Sequence, residues 1–268
     1  MGVRGSAVLA VAALSGTLLT GCDDGTVTLR FRPAEGQELD YVTTVDSVTT
    51  THLPCFPPTE PRRDHTSLDA HQRILEVGDD GVLVEVALSR PGIGTRTFTM
   101  RFDRAAQLTE VERVEGIPAE ALGELGLSEI FPPAAGAPPA EPLAPGDRWT
   151  IDDVVLLTGQ DEPTRLVGDG RLVELGVEDG VDVATVESTT ALPVNTRTEA
   201  STGTRSLNGV QQTSVTATYE LADGALRRAD AVTTGSFALV LGPPPGGGGD
   251  PCSGTLEVEV RSSVTRVD

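Results

Sequence analysis

The chain has 268 residues, a formal charge of −20 and an aromatic content of only 3%. Such an acidic surface repels nucleic acid and anionic lipid headgroups, so neither is expected as a partner recognised by charge. With so few aromatic rings, the core must be built largely from Val, Leu, Ala and Thr methyl groups.

The first 21 residues have the pattern of a secretory signal peptide. Arg4 supplies a positive charge, and the apolar stretch 7–19 is shorter than the roughly 20 residues of a membrane-spanning helix. The sequence Leu-Thr-Gly-Cys at 19–22 resembles the lipobox of bacterial lipoproteins. This resemblance implies cleavage before Cys22 and acylation of its thiol. With two or three acyl chains (palmitate is typical), the protein would be permanently anchored to the bacterial cell membrane, outside the cytoplasm. An uncleaved apolar terminus with a chance cysteine is the alternative.

Much of the remaining chain alternates apolar and polar residues with period two, which is typical of strands with one buried face. The alternating apolar positions are Leu29 and Phe31; Phe98, Met100 and Phe102; Val215, Ala217, Tyr219 and Leu221; and Leu256, Val258 and Val260. Asp-Gly pairs at 80–81, 179–180 and 223–224 favour tight hairpins. The sequence therefore predicts an all-β fold made mainly of antiparallel meanders, as a half-barrel or a sandwich.

The chain divides into two β-rich halves. After the signal peptide 1–21, residues 22–130 form the first half and end in one short helix predicted near 118–130. Residues 131–146 are rich in Pro and Ala and predict an extended linker with few packing contacts. Residues 147–268 form the second half.

A weak internal repeat relates the two halves. Residues 73–77 (Arg-Ile-Leu-Glu-Val) match residues 171–175 (Arg-Leu-Val-Glu-Leu), and a hairpin turn follows each of them. A glycine and a polar residue, at 36–37 and at 146–147, precede the first strand of each half. Because the loop lengths differ, a true duplication and a coincidence of strand patterns are both open.

Two half-sheets joined in this order resemble the open antiparallel half-barrels of lipoprotein-carrier and lipid-binding envelope proteins. The resemblance rests on strand order and on the lipobox, and it implies a concave apolar face that holds an acyl chain or another apolar ligand. The expected ligand contacts are Val84, Val86, Phe98, Met100, Phe102, Val215 and Tyr219. In the alternative, a closed fold, these side chains are simply core.

Two cysteines remain once Cys22 carries lipid. Cys55 and Cys252 both lie in loops, and paired thiols persist as disulfides in an oxidising exterior. The sequence therefore predicts a Cys55–Cys252 disulfide, which would fix the first hairpin to the last. Free thiols are the alternative.

A metal site is the first functional alternative, because three histidines and a cysteine fall within about twenty residues: His52, Cys55, His65 and His71. They could supply a tetrahedral zinc site, but their spacing matches no zinc finger and Cys55 is expected in the disulfide. We therefore predict no metal and no cofactor.

Catalytic motifs are also missing from the sequence. No G-x-S-x-G nucleophile motif is present. Acidic pairs such as Asp152-Asp153 are more typical of solvated turns than of glycoside hydrolysis in a chain this rich in carboxylates. The sequence thus favours a non-enzymatic lipoprotein that binds a lipid or another apolar ligand. The alternative is an envelope scaffold or interaction lipoprotein with a filled core and acidic loops.

Overall fold

The computed structural model describes residues 25–79, 81–104, 108–117, 138–155, 164–200, 203–243 and 249–267. Eleven strands run through this part of the chain: β1 Glu38–His52, β2 Arg62–Gly78, β3 Gly81–Arg90, β4 Gly94–Phe102, β5 Leu108–Gly116, β6 Arg148–Val155, β7 Thr164–Glu178, β8 Val181–Ala200, β9 Gly203–Glu220, β10 Leu226–Gly242 and β11 Cys252–Val267. Among these residues, no helix is long and apolar enough to cross a membrane.

All eleven strands belong to one open antiparallel sheet with the order β5-β4-β3-β2-β1-β11-β10-β9-β8-β7-β6. Each half is a meander, and the pairing of β1 with β11 joins the two. The predicted all-β antiparallel fold is therefore confirmed, as a single sheet rather than as the two sheets of a sandwich. The predicted signal peptide, Cys22, the predicted helix and residues 131–137 lie outside the described residues.

The sheet is strongly curved, as two consecutive residues show. The amide of Phe31 donates to the carbonyl of Arg104, just after β4, and the amide of Arg32 donates to the carbonyl of Asp223, in the β9–β10 turn. β4 and β10 are five neighbours apart in the sheet order, so a flat sheet would separate them by about 24 Å. The sheet must curl to bring these ends together, which gives it a concave inner face.

The main core lies on this inner face. It draws side chains from β1 to β4 and from β7 to β11 into one buried apolar cluster. The predicted alternation is confirmed on β4, where Phe98, Met100 and Phe102 are buried and the residues between them are partly exposed. The opposite, outer face carries most of the charged side chains, as expected for an antiparallel sheet with one solvated face.

One predicted strand is wrong. Leu29 and Phe31 are buried and alternate with exposed Arg30 and Arg32, but this segment is extended chain outside the sheet. We call residues 27–33 the strap. Its single β-bridge pairs Val27 with Leu143. Alternating burial shows only that one side of an extended chain packs against something; it does not show that the chain is hydrogen-bonded in a sheet. Here the strap packs over one end of the curved sheet.

The predicted linker is also more tightly packed than expected at its C-terminal end. Leu143 exchanges two backbone hydrogen bonds with Val27, both 2.8 Å long, and its side chain belongs to the main core. A composition rich in Pro and Ala does not reveal that a single Leu anchors the segment. Leu143 therefore anchors the described part of the linker, residues 138–146, to the core, although most of its other residues are exposed.

The internal repeat is visible in the backbone. The amide of Gly36 donates to the carbonyl of Ile74 (2.9 Å), and in the second half the amide of Gly146 donates to the carbonyl of Leu172 (2.7 Å). Directly after Ile74 and after Leu172, the strand register shifts at a β-bulge. The same local structure thus opens β1–β2 and β6–β7.

Matching side chains close the two turns before β1 and β6. Gln37 accepts a hydrogen bond from the amide of Ala34 (2.9 Å), and Asp147 accepts one from the amide of Ala144 (2.8 Å). We conclude that β1–β5 and β6–β10 are structural repeats. In the sheet, β11 lies between β1 of the first repeat and β10 of the second.

The Asp-Gly turns explain how the meander reverses. Asp179 and Gly180 both have positive φ, 51° and 82°, as a two-residue type I′ hairpin requires. Gly81 begins β3 with φ 145°, and a Cβ there would lie 2.1 Å from the carbonyl oxygen of Phe102. A side chain at this position is therefore excluded by space as well as by backbone conformation.

Candidate ligand-binding face

The structure places all seven predicted ligand contacts on the inner face. On neighbouring strands, Val84 of β3 lies opposite Met100 of β4, and Val86 lies opposite Phe98. Phe102 is on the same face of β4, and the other two residues, Val215 and Tyr219, lie on β9 in the second half. Six of the seven belong to the main buried cluster and Tyr219 packs against it. Their role in binding stays a prediction.

Six of these seven residues are core side chains in this conformation. No more than 8% of the surface of any of the six is exposed, and Val86 and Met100 are completely buried. Tyr219 is only partly buried and lines a cavity of about 20 Å³, together with Leu29, Phe31 and Glu220. That volume suits about one water molecule, whereas the pockets that bind drug-sized ligands have volumes of roughly 300–1,000 Å³.

The strap supplies part of the cover over these residues. Leu29 and Phe31 point into the main core, where the ring of Phe31 meets that of Phe102 edge to face at a centroid distance of 6.4 Å. Such an arrangement matches the negative face of one ring to the positive edge of the other. The strap therefore contacts one of the predicted ligand residues directly.

A row of hydroxyl groups crosses the inner face beside the main core. Thr190, Thr213 and Thr233 are in register on β8, β9 and β10, and Ser47 on β1 continues the row through Val260 of β11. The hydroxyls of Thr213 and Thr233 hydrogen-bond each other at 3.0 Å. The sequence pattern did not predict this row. Thr was counted as a polar, outward-facing residue, so Thr side chains on the inner face were not recognised.

Beyond the hydroxyl row lies a second apolar cluster on the long strands. It is formed by Phe237, Leu239 and Leu256, with Leu53, Val194, Leu207, Leu241 and Val258 partly buried around them. The ring of Phe237 covers two glycines of the sheet: a Cβ on Gly235 would lie 2.5 Å from the ring, and one on Gly209 would lie 2.9 Å from it. These glycines make room for the ring.

Charged groups surround the end of the sheet near the cavity. The carboxylate of Glu220 accepts hydrogen bonds from Arg227 (3.0 Å) and Arg266 (2.9 Å), so adjacent β9 and β10 are linked to β11. Burial raises the pKa of Tyr41 far above its usual range, against the opposing effect of Arg266. The apolar inner face is thus bounded at this end by paired charges and a neutral phenol.

The predicted disulfide is confirmed. Cys55 and Cys252 are bonded, with their Cα atoms 6.1 Å apart, across a sequence separation of 197 residues. The bond joins the β1–β2 loop to the first residue of β11, next to the second apolar cluster. It therefore fixes the end of the sheet farthest from the strap.

The candidate metal ligands are dispersed. His65 and His71 lie on the outer face, and each bonds its own aspartate on β1: His65 pairs with Asp46 and His71 with Asp40, both at 2.8 Å. Cys55 is held in the disulfide. In the described ranges, no group of three or more potential metal ligands comes together.

Asp152, the first residue of the acidic pair in β6, is engaged in an ion pair. Asp152 is exposed on the outer face and receives hydrogen bonds from Arg165, which lower the pKa of its carboxyl group. A carboxylate held ionised in solvent is a poor general acid. The contact between Asp152 and Arg165 has the geometry of an ordinary cross-strand ion pair on the protein surface.

Comparison with known proteins adds no assignment: no protein-family model matches this chain, and no curated protein matches it. The features of the molecule that bear on function are therefore the inner face of the sheet and the strap that packs on it.

Proposed function

We propose that this protein is a membrane-anchored extracytoplasmic lipoprotein that binds a lipid or another apolar ligand on the inner face of its sheet, without catalysis. The observation that supports this most strongly is the single open sheet, which gathers apolar side chains from both halves on one concave face. It is the architecture that the resemblance to half-barrel envelope proteins implies.

The chemistry of the inner face suits an acyl chain with a neutral polar group. Once uncovered, its two apolar clusters would offer a ligand surface whose burial contributes roughly 25 cal/mol per Å². The hydroxyls between them, such as those of Thr190 and Thr213, can exchange hydrogen bonds with ester or hydroxyl groups. Charged side chains are concentrated on the outer face, where they keep the protein soluble beside the membrane.

The anchor would act close to this face. Cys22 lies only five positions before Val27, where the strap begins, so an acylated Cys22 would hold the strap end of the sheet near the membrane surface. Each residue between Cys22 and the strap can extend the chain by at most about 3.5 Å, so the anchor and the strap must lie close together. A ligand leaving or entering the bilayer would meet this end first.

The second candidate is a scaffold or interaction lipoprotein with a filled core. The observation in its favour is the burial of Phe98, Met100, Val215 and their neighbours, which leaves a cavity of only about 20 Å³ beside Tyr219. In that case the acidic loops and the outer face would contact an envelope partner. The two candidates differ in whether the inner face ever accepts a ligand.

Met100→Ala tests the choice when stability and binding are measured together. Met100 is completely buried, so its truncation should lower the free energy of unfolding by roughly 2–5 kcal/mol in either case. Binding of a fluorescent fatty acid then decides. A measurable affinity that changes in the variant supports the ligand-binding function.

The matched control is Thr99→Ala, one position away on the partly exposed opposite face of β4. This change should alter fatty-acid affinity little and the free energy of unfolding by less than about 0.5 kcal/mol. A large stability loss in Met100→Ala, with no fatty-acid binding by any form of the protein, would decide for the scaffold.

A further inference from the structure

The strap offers an inference that rests on the proposed function and deepens it. We propose that residues 27–33 are a displaceable plug, whose Leu29 and Phe31 side chains occupy the inner face until an apolar ligand with an acyl chain replaces them. Lifting the strap opens the end of the curved sheet that lies nearest the expected anchor at Cys22.

The strap is attached at few points. It exchanges two hydrogen bonds with Leu143, and the amides of Phe31 and Arg32 each donate one more, to Arg104 and Asp223. The guanidinium of Arg104 donates a long one of 3.4 Å to the carbonyl of Phe31. By contrast, β1 is paired along most of its length with β2 on one side and β11 on the other. The strap can therefore leave without breaking any ladder of the sheet.

The two turns that hold the strap are equivalent in the repeats. Arg104 follows β4 of the first repeat and Asp223 follows β9 of the second, so the strap bridges the matching corners of both halves. Gly224 has φ 72°, and a Cβ there would lie 2.0 Å from the carbonyl oxygen of Arg30. A glycine at this corner lets the strap lie directly against the turn.

The strap side chains occupy ligand-like positions. Leu29 and Phe31 lie in the same buried cluster as the predicted ligand contacts, and Phe31 packs on Phe102. The cavity of about 20 Å³ is lined by Leu29 and Phe31 of the strap and by Tyr219, so packing is incomplete beside the strap at this place. An acyl chain that buries similar apolar area would compensate for the loss of these contacts.

The outward side chains of the strap are polar. Arg30 and Arg32 are exposed, and Arg30 makes one long hydrogen bond of 3.4 Å to the carbonyl of Ala140. The strap is therefore amphipathic: Leu29, Phe31 and Pro33 are buried, Val27 packs against the core, and the two cations are directed outward. It can be released into water or to a lipid headgroup region without burying a charge.

A disulfide lock tests the plug. Val27 and Leu143 are a hydrogen-bonded antiparallel pair, whose Cα atoms lie about 5.5 Å apart, within the range that a disulfide bridges. The full-length variant Val27→Cys/Leu143→Cys is compared, oxidised and reduced, for labelling by a photoactivatable diazirine analogue of palmitic acid. Peptide mapping locates the label.

We expect the oxidised lock to lower labelling of the peptides containing Met100 and Val215 by about fivefold or more relative to the reduced form. Wild-type protein treated with and without reductant controls for the native Cys55–Cys252 bond. Equal labelling of locked and reduced forms would overturn the plug and leave the proposed function intact. If neither wild type nor variant is labelled on the inner face, the proposed function fails and the plug fails with it.

A second variant keeps the test decisive if the lock does not form. Leu29→Ser/Phe31→Ser removes the apolar side chains of the plug, and circular dichroism confirms that the sheet remains folded. Labelling of the inner face should rise above wild type, while the matched variant Arg30→Ser/Arg32→Ser should leave it unchanged. No rise in a folded Leu29→Ser/Phe31→Ser protein would overturn the plug.

Discussion

The two repeats share their opening structure and differ in the length of their central strands. In the first repeat, β3 and β4 have 10 and 9 residues, whereas their counterparts β8 and β9 have 20 and 18. Both repeats contribute to the main core through the ends near the strap. The long strands β8 to β10, together with β1 and β11, continue past it through the hydroxyl row to the second apolar cluster.

This difference shows that the same opening structure can begin a repeat with short central strands or one with long central strands. The turn cap and the bulge at Ile74 and Leu172 fix the start of each meander and the direction of its inner face. Strand length then decides how far that face extends. The first repeat, with the shorter β3 and β4, mainly closes the core. The second repeat, with the longer β8 and β9 and with β11 beside it, carries the additional inner surface that ends at the disulfide.

The largest expected effect comes from removing the disulfide. Cys55→Ser/Cys252→Ser should lower the free energy of unfolding by about 2–5 kcal/mol in urea, because the bond closes a loop of 197 residues in the unfolded chain. The effect should also be local. Hydrogen exchange should quicken in the β1–β2 loop and the start of β11 and remain unchanged in β3 and β4.

Wild-type stability in the double variant would contradict the structural importance of the bond. A uniform increase in hydrogen exchange over both repeats would show that the end of the sheet near the disulfide does not unfold independently of the rest.

The bulge residues test the equivalence of the repeats. Ile74 and Leu172 are fully or almost fully buried at matching positions, so Ile74→Ala and Leu172→Ala should each lower the free energy of unfolding by roughly 2–5 kcal/mol. We expect the two losses to agree within about 1 kcal/mol, a difference smaller than the usual spread for such truncations.

Glu76→Ala and Glu174→Ala are the controls, since these exposed residues follow the two bulges. Each should change stability by less than about 0.5 kcal/mol. If only one of the buried positions is sensitive, the repeats share a backbone pattern without sharing its energetics.

The turn caps should give smaller effects. Gln37→Ala and Asp147→Ala each remove the acceptor of a backbone amide, which should lower the free energy of unfolding by about 1 kcal/mol. The loss at Gln37 should be the larger, because its side chain also donates to Asp223 at 2.9 Å. Thermal unfolding measures both, and a larger loss in Asp147→Ala would reverse the expected order.

The smallest effect contrasts an unpaired hydroxyl with a paired one. The Thr43 hydroxyl is buried on the inner face without a hydrogen-bond partner, whereas Thr213 bonds Thr233. Thr43→Val should therefore raise the free energy of unfolding by up to about 1 kcal/mol, and Thr213→Val should lower it by a similar amount. Chemical denaturation of both variants measures the difference, and destabilisation by Thr43→Val would contradict this view.

Local patterns predicted much of this fold. The alternation of Phe98, Met100 and Phe102 identified a strand and its buried face, because side-chain direction in a strand depends only on parity. The Asp179-Gly180 hairpin followed from the need for positive φ. The disulfide followed from the pair of cysteines that remains when Cys22 is assigned to the predicted anchor. Each of these depends on few residues and on no distant contact.

The remaining features depend on distant contacts. Nothing near Leu29 or Phe31 shows that their partner is a sheet end more than seventy residues away rather than a neighbouring strand. Leu143 is similarly hidden in a Pro- and Ala-rich segment. The curvature that unites both halves arises from the accumulated twist of many strands, which no single segment encodes.

The proposed inner-face site depends on the same long-range assembly. Period two placed Phe98, Met100 and Val215 on buried faces, but it could not say whether those faces contact a ligand or pack against each other. The strap and the hydroxyl row decide what the face can accept, and both become visible only when the strands are assembled.

Native mass spectrometry of the protein purified from the cells that produce it tests the central claim most directly. If the inner face binds an apolar ligand, part of the folded protein should carry a noncovalent adduct of lipid mass, in addition to the covalent acyl groups expected at Cys22, and denaturation should release it. Folded protein that carries only covalent groups, and that takes up no lipid from added vesicles, would contradict the claim.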